Sequence, residues 1–228
     1  MGTAARWLVV DCYLGETSGA GDYTRHLGQR PWCAVRPGAL PAALDGVLGV
    51  ILTGSEGSAV GRLEPWVEAL VQWVRRLLAE EVPVLGVCFG HQVLARAAGG
   101  VVRLRSRPEV GWLPVELVGD DPLLAPLGAR FTPFLTHGDE VAPHPAYQVL
   151  ARSEACEVQA LRVVGRRAWG VQFHAELQPA DEEAFVRQRA AADPALDPAA
   201  LLSARVDSAP LGAALFASFL ALAGASNG

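Results

Sequence analysis

The passage from residue 82 to residue 100 limits the fold of this chain more than any other. Val82-Pro83-Val84-Leu85-Gly86-Val87 is a short, nearly unbroken apolar run, as expected of a strand buried on both faces of a parallel sheet. Pro83 stands near its start, where a missing N–H does least harm. A helical pattern follows at once, with Val93, Leu94 and Ala97 on one side, and Gly99-Gly100 closes it. Cys88 therefore falls on the turn, framed as Gly86-Val87-Cys88-Phe89-Gly90, the cysteine form of a nucleophile elbow. A sharp strand-to-helix turn holds the residue at its apex in a strained conformation, side chain outward, and side chains two positions away would meet the crossing backbone. The helix would direct its positive end at the sulfur and favour thiolate. The Phe89 N–H would be placed to donate to an oxyanion. A buried structural cysteine on a tight glycine-rich turn explains the same residues equally well.

The flanking pattern agrees with a parallel sheet. Trp7–Cys12, Trp32–Arg36 and Gly46–Thr53 read as strands, Gly21–Arg30 as a first helix. Glu64–Glu81 has a clear helical period, with Val67, Leu70, Val71, Val74, Leu77 and Leu78 on one face and Pro65 in the first turn. Alternating strands and helices predict an α/β fold: an open, mostly parallel sheet with helices on both faces. Asp11-Cys12-Tyr13 would lie at a strand end, facing the crevice where such sheets bind ligands. After Gly100 the chain becomes β-rich. Val101–Arg105, Val110–Val118, Ala129–Leu135, Gln148–Arg152, Gln159–Val164 and Ala168–Phe173 should extend the sheet and add a smaller antiparallel portion. Helical segments follow at Asp181–Arg189, Ala199–Arg205 and Leu211–Ala223, with a Pro- and Ala-rich link over residues 191–200 expected to be the most mobile stretch. The expectation is one domain over residues 1–228, with a helical C-terminal tail from about 195 to 228.

Three further motifs sit at expected strand ends. Ala168-Trp169-Gly170-Val171-Gln172-Phe173-His174-Ala175-Glu176 ends a strand in a histidine, with a carboxylate two residues on. A cysteine hydrolase needs a base near its thiol and a group that orients the base, and His174 and Glu176 are of those types. Both reaching one crevice needs a bend; a strand-end surface histidine beside a helix-flanking charge is the simpler reading of this segment alone. Thr53-Gly54-Ser55 could present backbone N–H groups to an oxyanion or be an ordinary tight turn. Thr136-His137-Gly138-Asp139-Glu140 could touch a substrate, form a polar turn, or supply a competing His137–Asp139 pair.

Composition removes several classes. The formal net charge is −5, and every basic side chain is arginine, which reads as codon bias in a GC-rich genome. Without a basic stripe, no nucleic-acid partner is expected. Cys12, Cys33, Cys88 and Cys156 are scattered, without metal-ligand spacing, so neither a metal nor a disulfide framework is expected. The start of the chain lacks a charged-then-apolar leader, and no apolar run approaches the roughly twenty residues that span a bilayer. A cytoplasmic protein without membrane contact follows as the expectation.

Taken together, Gly86-Val87-Cys88-Phe89-Gly90-His91-Gln92, Gly170-Val171-Gln172-Phe173-His174-Ala175-Glu176 and the Thr53-Gly54-Ser55 loop resemble the class I, triad-type glutamine amidotransferases over nearly the whole chain. Val110-Gly111-Trp112-Leu113-Pro114-Val115 and Thr136-His137-Gly138-Asp139-Glu140-Val141 look like free-standing members related to the glutaminase part of GMP synthase. The resemblance implies a flavodoxin-like fold and no cofactor. It implies a Cys88–His174–Glu176 triad that cleaves the γ-amide of glutamine to glutamate and ammonia through a γ-glutamyl thioester. Phe89 and Gly54, in the Thr53-Gly54-Ser55 loop, would supply oxyanion N–H groups. Gln92 would contact the bound glutamine, and Thr136 and His137 would hold its α-amino and α-carboxylate end.

The sequence departs from the family pattern at two places. Ala175 replaces the usual proline between base and orienter, and Glu56 follows the glycine loop where a proline is commoner. The chain has no room for an ATP-binding domain, and without lysine no Walker-type loop is possible. Three functions remain. The chain is a glutaminase that delivers ammonia to a synthetase partner, a stand-alone hydrolase of γ-glutamyl amides or peptides, or a binding module on this fold.

Overall fold

The computed structural model describes residues 4–15 and 18–225. The first half alternates as the periodicity predicts: β1 (Arg6–Val10), α1 (Ala20–Thr24), β2 (Trp32–Val35), β3 (Val47–Leu52), α2 (Pro65–Ala79), β4 (Val84–Val87) and α3 (Phe89–Ala97). The second half holds β5 (Val102–Trp112), β6 (Val115–Leu117), β7 (Arg130–Phe131), β8 (Phe134–Val141), β9 (Tyr147–Arg152), β10 (Ala160–Val163) and β11 (Ala168–Val171). It closes with α4 (Pro179–Ala192), α5 (Pro198–Ser203) and α6 (Ala209–Gly224).

One nine-stranded sheet runs in the order β2-β1-β3-β4-β11-β10-β9-β6-β7. Strands β2, β1, β3, β4 and β11 pair in parallel, and the pairs from β11 onward are antiparallel. The central strands β4 and β11 are apolar and buried at every position because both faces are covered. Trp7, Val9, Leu85, Val87, Trp169 and Val171 point to one side, where Leu215, Phe216 and Phe219 of α6 pack. Leu8, Val10, Val50, Leu52 and Val84 point to the other, against Val67, Leu70, Val71 and Val74 of α2 and Val93 and Leu94 of α3. The six apolar positions expected on the core face of α2 are buried, together with Trp73, whose indole N–H donates to the Pro41 carbonyl (2.9 Å).

Four expectations are corrected. The first helix is short: α1 ends at Thr24, and a 3-10 turn over Arg25–Leu27 replaces its second half before Gly28, whose φ of +59° ends it. Val101–Arg105 and the start of Val110–Val118 are one strand, β5, paired with β8 in a separate antiparallel ribbon whose register shifts between Leu104 and Glu109. Ala129–Leu135 divides into β7 and β8 around Pro133, which cannot donate to a ladder. Thr136–Glu140 is therefore strand, not turn. Helix takes in both ends of the link over 191–200, half of its residues: α4 extends to Ala192 and α5 starts at Pro198 behind the Asp197 cap.

Helix α6 buries Gly212, Leu215, Phe216, Phe219, Leu220 and Ala223, a continuous stripe against the sheet. Among the described residues, no helix is long and apolar enough to cross a membrane.

Candidate active site

The site lies at the C-terminal ends of β1, β3, β4 and β11, where a doubly wound sheet leaves its crevice. Cys88 stands between β4 and α3 at φ +50°, ψ −104°, a left-handed conformation that a side-chain-bearing residue adopts at a cost of about 1–3 kcal/mol. The two glycines of the turn are required sterically. A Cβ on Gly86 would come within 2.4 Å of the Gly90 carbonyl oxygen, and one on Gly90 within 2.3 Å of the Leu52 carbonyl oxygen. Cys88 also has its own N–H tied to the Val171 carbonyl (2.8 Å), which joins the elbow to β11. Phe89, as the first residue of α3, carries one of the N–H groups that no helical carbonyl can accept.

His174 is brought in by a bend beyond β11. Its N–H donates to the Phe134 carbonyl (2.9 Å) in an isolated bridge to β8, and bends on both sides of it supply the reversal that His174-Ala175-Glu176 needs. Its Nδ1 lies 2.7 Å from Glu176 Oε1, and Glu176 is wholly buried. Phe185 of α4 stacks on the imidazole at 6.3 Å between centroids. Burial alone would lower the pKa of His174, but the charge of Glu176 and the adjoining Cys88 outweigh it and hold the pKa well above 6.5. Burial would raise that of Glu176, but the His174 cation holds it below 4.5. A carboxylate, an imidazolium and a sulfur in this order can pass a proton between thiol and leaving group.

A cavity of about 430 Å³ opens in front of Cys88. Ser55, Cys88, Phe89, Gln92, Thr136, His137 and His174, all singled out from sequence, line it, and so does Glu56, which accepts from the Leu14 N–H (3.1 Å). Glu176 stands behind His174 and out of the cavity. Gly54 departs from expectation. Its N–H, expected to face an oxyanion, donates to the Tyr23 hydroxyl (2.9 Å), which rises from α1 beneath the loop. The same hydroxyl donates to Glu176 Oε1 (2.9 Å), so one oxygen joins the glycine loop to the Glu176 carboxylate. The amide nitrogen of Gln92 donates to the Asp139 carbonyl and to Gln172 Oε1, both at 3.2 Å.

Both ring nitrogens of His137 are engaged by partners other than Cys88. Nδ1 meets the Asp139 carbonyl at 2.9 Å and Nε2 lies 2.9 Å from Glu109 Oε2, while the Asp139 carboxylate accepts from Ser58 Oγ (2.6 Å). His137 and Asp139 thus do not form a side-chain dyad. Glu109, His137 and Cys156 approach one another with ligand-type atoms within 4.8 Å, a grouping their sequence spacing hides. Ser153 Oγ (2.8 Å) and Gln159 Nε2 (3.0 Å) already occupy the Glu109 carboxylate, Arg105 lies 3.8 Å away, and burial pushes the Cys156 thiol up to about 12. These contacts describe a buried hydrogen-bond network rather than a cation site.

Sequence reasoning missed Tyr23 and the α4 wall of the cavity. Tyr23 had no motif to mark it. Phe185, Gln188, Arg189 and Ala192 line the cavity at i, i+3, i+4, i+7 spacing, a helical face legible as such but not as a site until α4 is docked on the β5–β8 ribbon. Tyr13, which also lines the cavity, lies at the β1 strand end that was expected to face the crevice.

A family model described as "Glutamine amidotransferase class-I" matches residues 8–191. A glutamine-hydrolysing GMP synthase subunit from Methanococcoides burtonii is 34% identical over 142 residues, 60% of this chain and 70% of that protein. The protein of the same name from Methanothermobacter thermautotrophicus is 35% identical over 108 residues, 47% of this chain and 56% of that one. The glutamine-hydrolysing GMP synthase of Thermomicrobium roseum is 40% identical over 130 residues, 57% of this chain but 23% of that protein. The chain thus spans from about a quarter to about two thirds of the curated relatives it matches. Among solved structures, a glutamine amidotransferase from Thermotoga maritima superposes with a TM-score of 0.78 at 24% identity, covering 98% of this chain and all of that one. A glutamine amido transferase from Methylobacillus flagellatus gives 0.77 at 24% identity, covering 97% and 96%. At these identities the likeness shows the fold alone.

Proposed function

Because this chain belongs to the class-I glutamine amidotransferase family, we propose that it hydrolyses the side-chain amide of glutamine at Cys88 and passes the ammonia to a separate synthetase partner. The observation that carries this reading is a cysteine strained at φ +50° at the mouth of a cavity shared with a His174–Glu176 pair 2.7 Å apart. Cys88 gives its thiol proton to His174 and its sulfur attacks the γ-carbonyl carbon, and the carbonyl electron pair moves onto oxygen, facing the Phe89 N–H. When the oxyanion collapses, the C–N bond breaks, His174 gives its proton to the departing nitrogen, and ammonia leaves. Water attacks the γ-glutamyl thioester with His174 as base, the C–S bond breaks, and glutamate and the thiol return. Glu176 keeps the imidazole oriented and stabilises its charged form whenever it holds the extra proton. Since Gly54 gives its N–H to Tyr23, the second oxyanion donor is assigned to the next peptide of that loop, at Ser55.

The partner is inferred from the relatives' names, several of which denote one subunit of a glutamine-hydrolysing synthase. The thiolate mechanism requires a reduced Cys88, and the four cysteines are free, which fits a reducing cytoplasmic compartment. We take residues 1–228 as one domain, with α5 and α6 as its helical tail.

A stand-alone γ-glutamyl amidase or peptidase is the second reading. It is favoured by the reach of the cavity beyond Cys88 to α4, which leaves room for a leaving group larger than ammonia. Ammonia and glutamate release would be measured for the purified protein on glutamine and on γ-glutamyl amides and peptides, with Cys88→Ala as the blank. Slow, Cys88-dependent hydrolysis of glutamine that rises when a synthetase is added is the expected result. Brisk cleavage of a peptide would favour the second reading. Turnover retained in Cys88→Ala would remove the sulfur from the mechanism.

A further inference from the structure

The cavity before Cys88 is polarised. Glu56 and Asp139 are its carboxylates, and Arg189 of α4 is the one guanidinium among its lining residues. Both carboxylates have internal donors, the Leu14 N–H for Glu56 and Ser58 Oγ for Asp139. Arg189 does not have the converse: among the described residues no carboxylate lies within ion-pair distance of it, whereas Arg103, Arg105 and Arg205 are paired. Its Nε donates instead to Thr136 Oγ1 (3.0 Å), a hydroxyl on a residue that is 4% exposed in the cavity wall and 53 residues away in sequence. An arginine in the last turn of α4 would complement the helix dipole wherever its side chain lay. The bond to Thr136 sets the direction of the guanidinium, and the planar fork is left with its terminal N–H groups for a ligand.

We propose that Arg189, oriented by Thr136, is the carboxylate anchor of the substrate, and so determines which glutamyl compounds Cys88 can reach. This rests on the amide-hydrolase reading above. The ligand chemistry is one carboxylate received end-on or bidentately by a guanidinium. The carboxylate has two sources, the α-carboxylate of the glutamyl moiety or one on the leaving amine of a γ-glutamyl peptide.

The test separates binding from turnover. Binding to Cys88→Ala and to Cys88→Ala/Arg189→Gln would be measured by calorimetry with four ligands: L-glutamine, its α-methyl ester, γ-glutamylmethylamide and γ-glutamylglycine. An α-carboxylate anchor predicts that Arg189→Gln weakens glutamine, methylamide and glycine adducts alike, by about tenfold to a hundredfold, and leaves the ester unchanged. A leaving-group anchor predicts the loss for γ-glutamylglycine alone. Arg189→Lys should restore part of the loss in either case, and Thr136→Val should reproduce part of it with Arg189 intact. Equal effects on all four ligands, no effect on any, or no binding of any ligand to Cys88→Ala would overturn the proposal. Turnover by the unmodified protein is scored separately. If the ligands bind through Arg189 and none is hydrolysed, the hydrolase reading fails and the anchor stands.

Discussion

Replacing Tyr23 by phenylalanine removes one oxygen and little else. The ring packs edge-on against Phe216 at 6.2 Å between centroids, a contact phenylalanine keeps. The lost hydroxyl accepts from the Gly54 N–H and donates to Glu176 Oε1, each at 2.9 Å, in a region with no solvent exposure at Tyr23 or Glu176. An amide N–H buried without an acceptor costs about 1–3 kcal/mol, and a hydrogen bond to a charged carboxylate contributes about 1.5–3 kcal/mol. The two share one atom and do not add fully, so a loss of about 2–4 kcal/mol is expected. For a chain of this size each kcal/mol moves the melting temperature by about 2–4 °C, which predicts a fall of about 5–15 °C by calorimetry. Activity should fall too, because the freed Gly54 peptide can turn and Glu176 loses a donor that stabilises its charge. The kcat/KM–pH profile on glutamine would show this as an acid limb displaced upward, since a carboxylate with fewer donors protonates at higher pH. A melting temperature within a degree or two of the parent, with an unchanged profile, would refute the claim that this oxygen couples the glycine loop to the carboxylate.

Four other outcomes follow from the geometry. Glu176→Gln removes the charge that counters the burial of His174, so its imidazolium should be lost at lower pH, and the alkaline limb of activity should move down when read from kcat/KM against pH. In the unmodified protein the His174 contribution to stability is present below about 6.5 and lost as pH rises through its raised value. That of Glu176 is present above about 4.5 and lost as pH falls through its depressed value. Chemical denaturation across the pH range should therefore find their joint contribution greatest between the two limits, and a profile flat through both regions would contradict it. Gly212→Ala would set a Cβ 1.9 Å from the Ala175 carbonyl oxygen, between His174 and Glu176, so it should lower both stability, by about 1–3 kcal/mol or more, and turnover. Gly21→Ala in α1 meets nothing within 4 Å and should stabilise by about 0.5–1 kcal/mol, which makes it the control in the same melts.

The alternation of two-sided apolar runs with 3.6-residue periods determined the parallel half of the sheet and which side of α2 faces it, because both are local consequences of burial. The glycines around Cys88 determined the elbow, since the backbone contacts that exclude a Cβ at Gly86 and Gly90 follow from the turn itself. The β-rich second half was legible as strands but not as partners. Whether residues 101–118 and 129–141 joined the main sheet or formed a separate ribbon depended on pairing energies between distant segments, and a register shift in β5 has no local signature. The site divides the same way. Cys88, His174 and Glu176 were legible as residues of the right types, and only the resemblance of the combined motifs joined them into a triad. Tyr23 beneath the glycine loop, the Glu109 network that holds His137, and the bond from Arg189 to Thr136 exist only where segments 31, 28 and 53 residues apart meet. A sequence records which groups a chain carries; only packing decides which donor faces which acceptor, because a hydrogen bond spans about 3 Å of space and no fixed distance along the chain.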